Sequence, residues 1–334
     1  MTVRKVNWVF LFSLLIYLGG ANAVAMLFPS VSSNIYSWNV LCEFLMILLP
    51  ALWLTAKKVP VAEVFRIRRI SGRTVYYTVL MLFCCYPFFS LASYLTSLLG
   101  RSASQDLAQE LMQGSVAANL VFFALVPAVV EELVFRGMLY STYRRTSALG
   151  AMFLSALMFG LMHMNLNQFS YTFFFGLFQV LVLEASDSII ASMVAHFTLN
   201  GVSVVMAGAM KHASSSLTSL SGDSSQAEAV SQIQSASWFP AVQVYFMAAL
   251  AIAGLLLAFQ CLKKIMAENG RTGEVLGMLG LCQDERGKIR RVSKMKSAAK
   301  ANGKGKNHLI TFPLVLAMIL CVAYMVMYQM SGVG

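Results

Sequence analysis

Charge is what this chain has least of: Asp, Glu, Lys and Arg make up 12% of its 334 residues, against 58% hydrophobic. An ordinary soluble domain carries roughly a quarter charged residues, so water is not the main solvent of this chain. Cysteine is also scarce. The six residues Cys42, Cys84, Cys85, Cys261, Cys282 and Cys321 show no CxxC or other ligand spacing and mostly sit in apolar runs, where Cys behaves as a small hydrophobe. That pattern argues against both a disulfide framework and a thiolate metal site. No HExxH is present, and no internal repeat of useful period, which argues against a transporter or channel built from duplicated halves.

What the chain has in abundance is long apolar runs. A bilayer core about 30 Å thick needs roughly 20 apolar residues per helix, and about nine runs satisfy this. They lie at Trp8–Phe28, Tyr36–Leu54, Val75–Leu99, Ala117–Leu139, Ala148–Met164, Phe169–Glu184, Ser188–Met210, Phe239–Cys261 and Leu309–Met330. The first follows a short basic start but has no convincing small-residue cleavage site, so it reads as a span rather than a signal. The expected fold class is an all-α polytopic bundle with its core on the fourth to seventh runs.

With an odd number of spans and the amino terminus inside, all but Arg101 and Lys211 of the 25 basic residues fall on one side. Cytoplasmic loops collect Lys and Arg, so the amino terminus is placed in the cytoplasm and the carboxyl terminus outside a cell membrane. The formal charge of +11 then reflects topology and an affinity for anionic lipid, not nucleic-acid binding. Two connections exceed a simple turn. Lys211–Trp238 is Ser-rich and reads as a flexible external loop. Residues 262–307 are basic, with one weakly apolar patch at Val275–Cys282, and read as a partly disordered cytoplasmic segment that can rest on the membrane surface. Three regions follow: residues 1–116 with the first three spans, the core at 117–206, and residues 207–334 with the two long connections and two further spans.

Ionisable groups inside a bilayer cost about 2.5 to 3.5 kcal/mol each, so a cluster of them is a candidate site. The fourth run carries Glu131, Glu132 and Arg136 as EExxxR. Glu132 and Arg136 are one turn apart, which predicts an internal ion pair. Glu131 points about 100° away and has no partner on its own helix, which suits a general base. The fifth run carries Phe159 and His163. Arg144 and Arg145 mark the turn between the two runs, and at 1.5 Å per residue Glu131 and His163 both lie about 24 Å from it. An antiparallel hairpin therefore brings them to one depth, although a histidine facing water at a helix end is the plainer alternative. The seventh run places His196 and Asn200 on one face, where they can also simply hydrogen-bond a neighbouring helix. Taken together, one acid, two imidazoles and an amide are the parts needed to activate water and steady an oxyanion.

These residues resemble the CAAX prenyl protease and bacteriocin-processing family of intramembrane proteases, also called CPBP or Abi. Its motifs EExxxR, FxxxH and HxxxN stand here as Glu131-Glu132-Leu-Val-Phe-Arg136, Phe159-Gly-Leu-Met-His163 and His196-Phe-Thr-Leu-Asn200. The resemblance covers about Ala117 to Met206. It implies endopeptidase activity on a peptide or membrane-associated protein, lipidated or not, in a cavity open toward the cytoplasm. It further implies that Glu131 and His163 polarise water while His196 and Asn200 stabilise the oxyanion, with Glu132, Arg136 and Phe159 in support. A second reading makes the enzyme zinc-dependent, with Glu131, His163 and His196 as ligands; a metal-free mechanism is preferred because an amide is a better oxyanion donor than a zinc ligand. A non-catalytic scaffold or bacteriocin-immunity protein is the rival. Outside the motifs, Glu43 either lines the cavity or pairs with an arginine, and Glu184 is expected to reach interfacial water near Asp187. The aromatic run Phe169 to Phe178 reads as packing or lipid contact, not a cofactor box.

Overall fold

A computed structural model describes residues 1–99, 103–220, 239–283, 289–291 and 308–331. The chain is an all-α polytopic bundle. Among the described residues, eight helices are long and apolar enough to cross a membrane. They are α1 (Val3–Leu27), α2 (Ile35–Ala56), α3 (Gly72–Ser97), α5 (Val116–Tyr143), α7 (Leu166–Ser186), α8 (Ile189–Leu220), α9 (Phe239–Glu268) and α11 (Phe312–Met330). A ninth apolar helix, α6 (Ala148–Met162), has 15 residues. At 1.5 Å per residue it spans about 22 Å, short of a 30 Å core. Shorter helices are the amphipathic α4 (Ala103–Gln113), α10 (Thr272–Met278) and two single turns at Pro29–Ser32 and Val61–Val64, and β1 (Leu281–Gln283) pairs antiparallel with β2 (Ile289–Arg291).

Helix starts are set locally. Asn34, Ser71, Ser115, Ser147 and Asn165 each accept a backbone N–H of the following turn, satisfying donors that a helix leaves unpaired. Between α6 and α7 the chain reverses through Met164, whose φ of 52° is left-handed, so that His163 and Asn165 stand at one tight turn. Asp187, at φ 53°, makes the corresponding reversal between α7 and α8.

Close helix contacts depend on small residues, as is usual where apolar packing has no water to drive it. A Cβ at Gly254 of α9 would lie 2.0 Å from the Cys84 carbonyl oxygen of α3. Gly254→Ala is therefore expected to force these helices apart and cost about 1–3 kcal/mol. A lowered thermal transition in detergent checks this; an unchanged one refutes the packing.

One end of the bundle is an ion cluster. Glu184 is 2% exposed; it accepts Nη2 of Arg66 at 2.8 Å, Nε of Arg144 at 2.8 Å and the hydroxyl of Tyr140 at 2.8 Å. Arg68 pairs with Asp187, and Arg271 lies 3.5 Å from Glu184. The expectation that Glu184 reaches water is thus corrected: three arginines from separate segments bury it. Two loop readings also change. Lys211–Leu220 continues α8, and the rest of the Ser-rich stretch, 221–238, lies outside the described residues. The apolar patch at 275–282 begins within α10 and buries Val275 and Leu276 in protein rather than lipid; residues 284–288 and 292–307 lie outside the described residues.

Candidate active site

Helix α5 departs from regular geometry on both sides of the acidic pair. Leu120–Leu125 and Leu133–Tyr140 are π-helical, a widening that often marks functional sites. Between them, Pro127 has no N–H to give to the preceding turn. Val126 N–H goes to Val121, and two carbonyls left in that turn take side-chain amides. Asn39 Nδ2 donates to the Phe122 oxygen at 2.5 Å, and Asn200 Nδ2 donates to the Phe123 oxygen at 3.1 Å. A proline on one helix thereby fixes a carboxamide on another.

The two glutamates face different surroundings. Glu132 is fully buried and accepts from Arg136 Nη1 at 3.1 Å, Gln179 Nε2 at 2.6 Å, Ser192 and His196 Nδ1 at 3.1 Å. Its ion pair with Arg136 is the one that the sequence spacing predicts, and Arg136 also lies 4.2 Å over the Phe159 ring and donates to Gln179. Glu131 has 16% of its side chain exposed, and its Oε2 makes no hydrogen bond. That oxygen stands 3.6 Å from His196 Nε2.

His196 is therefore held between the two acids, 3% exposed, with its ring edge-on to Phe159 and Phe175. His163 turns Nδ1 to the Phe159 carbonyl oxygen at 2.9 Å. With Nδ1–H donating there, Nε2 keeps its lone pair for whatever occupies the cavity. Phe159 thus touches Arg136 and both imidazoles, and its own backbone orients one of them.

Glu131, His163, His196 and Asn200 line a single cavity of about 180 Å³. The side chains that the sequence singled out are brought together, with Phe159 beside them and Glu132 and Arg136 beneath. A second cavity of about 240 Å³ adjoins it, sharing Glu131, His163 and Glu43. Glu43 of α2 lines both, is 8% exposed, and turns its carboxyl to that of Glu131. Of the two options the sequence left for Glu43, lining the cavity is the one observed. Gln179 and Ser192, which hold Glu132, escaped the sequence reading; Ser192 lies one turn before His196, and Gln179 is on α7, which carries no motif residue.

Among the described residues, no three His, Cys, Asp or Glu side chains are grouped to hold a metal ion. Glu131, His163 and His196, the set that a zinc site would use, share this cavity. The contacts of His196 Nδ1 to Glu132 and of His163 Nδ1 to a carbonyl leave each Nε2 for chemistry in the cavity, an arrangement that suits proton transfer and metal ligation alike.

Fold and site together define a polytopic membrane protein with an acid, two imidazoles and a carboxamide inside its helical bundle. Residues 113–202 match the family model Type II CAAX prenyl endopeptidase Rce1-like. That segment, which carries all four residues, is similar to the CAAX prenyl endopeptidases over about a quarter of the chain. No curated protein and no solved structure matches the chain.

Proposed function

We propose that the chain is a glutamate-dependent intramembrane endopeptidase in which Glu131 and His163 activate water and His196 and Asn200 receive the oxyanion. The convergence of these four side chains on one cavity carries the reading. Water between Glu131 and His163 loses a proton to the carboxylate as its oxygen attacks the scissile carbonyl carbon. The oxyanion then has two donors. Asn200 has a second amide N–H beyond the one given to Phe123, and His196 in its protonated form offers Nε2–H while Nδ1–H stays on Glu132. Collapse breaks the C–N bond, and the proton on Glu131 passes to the leaving amine.

The preferred chemistry uses no metal, because Asn200 keeps an amide N–H that can donate to the oxyanion. Purified chain in detergent is expected to cleave a reporter peptide at an unchanged rate after exhaustive chelation. Loss of cleavage on chelation and its return with zinc would sink the metal-free mechanism and restore Glu131, His163 and His196 as ligands.

Glu43 is a positioning residue in this scheme: its carboxyl shares a proton with Glu131 and fixes the orientation of the base. Glu43→Gln keeps the shape but alters the sharing, and is expected to lower kcat about tenfold with KM within about twofold. Equal rates in the variant and the parent would show that Glu43 only fills space.

A further inference from the structure

The cavity is sealed at one end and extended at the other. Every residue from Val134 to Tyr143 is buried, and the cluster of Glu184, Asp187, Arg66, Arg144 and Arg271 closes the bundle beyond them. That is the end where the basic connections emerge: α3 begins there, with Glu268 of α9 at 3.6 Å from Arg73. In the opposite direction the catalytic cavity reaches Asn39 near the start of α2, Gln168 near the start of α7, and Leu107 and Leu111 of α4. These are the parts of each helix farthest from the basic end. Asp106 of α4 also meets Tyr328 at the close of α11, which places α4 at that far end.

A groove of about 370 Å³ continues the cavity, sharing Leu199, Asn200 and Ser203 with it. Its α3 wall carries Tyr86, Ser90, Ser93, Tyr94 and Ser97, which fall on one helical face. Ser93 bonds Asn167, Ser97 donates to the Tyr94 carbonyl oxygen and Tyr86 donates to Met206 Sδ, so Ser90 and Tyr94, with Phe89 beside them, offer the hydroxyl partners for a backbone within the membrane. No charged side chain lines this groove among the described residues. From Ser97 to Tyr86 it runs about 16 Å at 1.5 Å per residue, room for about five extended residues at 3.3 Å each.

Two sequence expectations therefore separate. The family resemblance implies a cavity open to the cytoplasm, while the charge bias puts the basic loops in the cytoplasm, and the structure sets cavity and basic loops at opposite ends. The bias involves nearly all the Lys and Arg of the chain, and such bias governs orientation. We propose that the site is loaded from the non-cytoplasmic face, by an uncharged, extended peptide segment of about five residues lying in the groove between α3, α4 and α8. The proposal rests on the endopeptidase reading for its substrate but not for its direction.

The test uses the full chain. Ser97→Cys is expressed in intact cells and treated with a membrane-impermeant maleimide, with labelling at each cysteine read by mass spectrometry. The native Cys282, exposed on β1, reports the basic end. Labelling of residue 97 in intact cells, with Cys282 labelled only after permeabilisation, is expected; the reverse pattern overturns the proposed direction whether or not the chain cleaves anything. For the groove, Ser90→Cys is purified and its cleavage of an uncharged apolar reporter peptide compared before and after modification by a bulky maleimide. The parent chain receives the same reagent as the control for Cys42. A fall of at least tenfold in kcat/KM specific to the variant is expected. Unchanged cleavage after full modification overturns the groove and leaves the roles of Glu131 and His163 untouched.

Discussion

Glu131→Gln is expected to lower kcat for peptide hydrolysis by about 10³-fold while leaving the thermal transition of the purified protein nearly unchanged. The two halves of this expectation come from the same geometry. Glu131 Oε2 makes no hydrogen bond and stands 3.6 Å from His196 Nε2, so an amide of equal shape breaks no bond at that atom. What it removes is the acceptor for a proton of water. His163→Ala removes the other side of the same pair, and because the two act on one proton, the double variant is expected to be little worse than either single one. Steady-state cleavage with all four proteins measures this. A Glu131→Gln protein retaining more than a tenth of the parental rate would refute the assignment. Loss of all cleavage alongside preserved biological activity in cells would instead favour the scaffold reading.

The contrast between Glu131 and its neighbour shows what a sequence can and cannot express about a membrane site. That Glu132 pairs with Arg136 is local to one helix, and i,i+4 spacing is enough to read it. That His163 shares the depth of Glu131 follows from counting residues either side of one turn, and the observed turn at Arg144 to Ser147 preserves the count. The spans themselves are legible because a bilayer tolerates only backbones that satisfy themselves, so each run of apolar residues becomes a helix. What lies between helices was not legible. Glu43 is about ninety residues from Glu131, and only the packing of α2 against α5 decides that their carboxyls meet. Gln179 and Ser192 look like ordinary polar residues of membrane helices until the rotation of α7 and α8 is known. The π-helical turns of α5 leave no mark that residue spacing can detect, yet they set how the acidic pair is presented. Glu184 misled for the same reason: its position at a helix end suggested water, whereas Arg66, Arg144 and Arg271 arrive from three other segments.

Removing the cation beneath the site is expected to have the largest effect on stability. Arg136 is fully buried, pairs with Glu132 at 3.1 Å, donates to Gln179 and stacks on Phe159. Arg136→Ala leaves a fully buried carboxylate without its cation, which typically costs about 3–5 kcal/mol. Activity falls with it, because Glu132 Oε1 holds His196 Nδ1 at 3.1 Å and a displaced carboxylate releases that ring. The two effects separate in a compensated variant. Glu132→Gln combined with Arg136→Met has no net buried charge and nearly the same volume, so much of the lost stability is expected to return. Cleavage is not expected to return, since an amide oxygen accepts His196 Nδ1–H more weakly than a carboxylate and no longer fixes the ring that donates to the oxyanion. Thermal transitions and kcat for the single and double variants decide between the two roles. Recovery of both together would show that the Glu132–Arg136 pair serves the fold alone and that His196 needs no carboxylate to orient it.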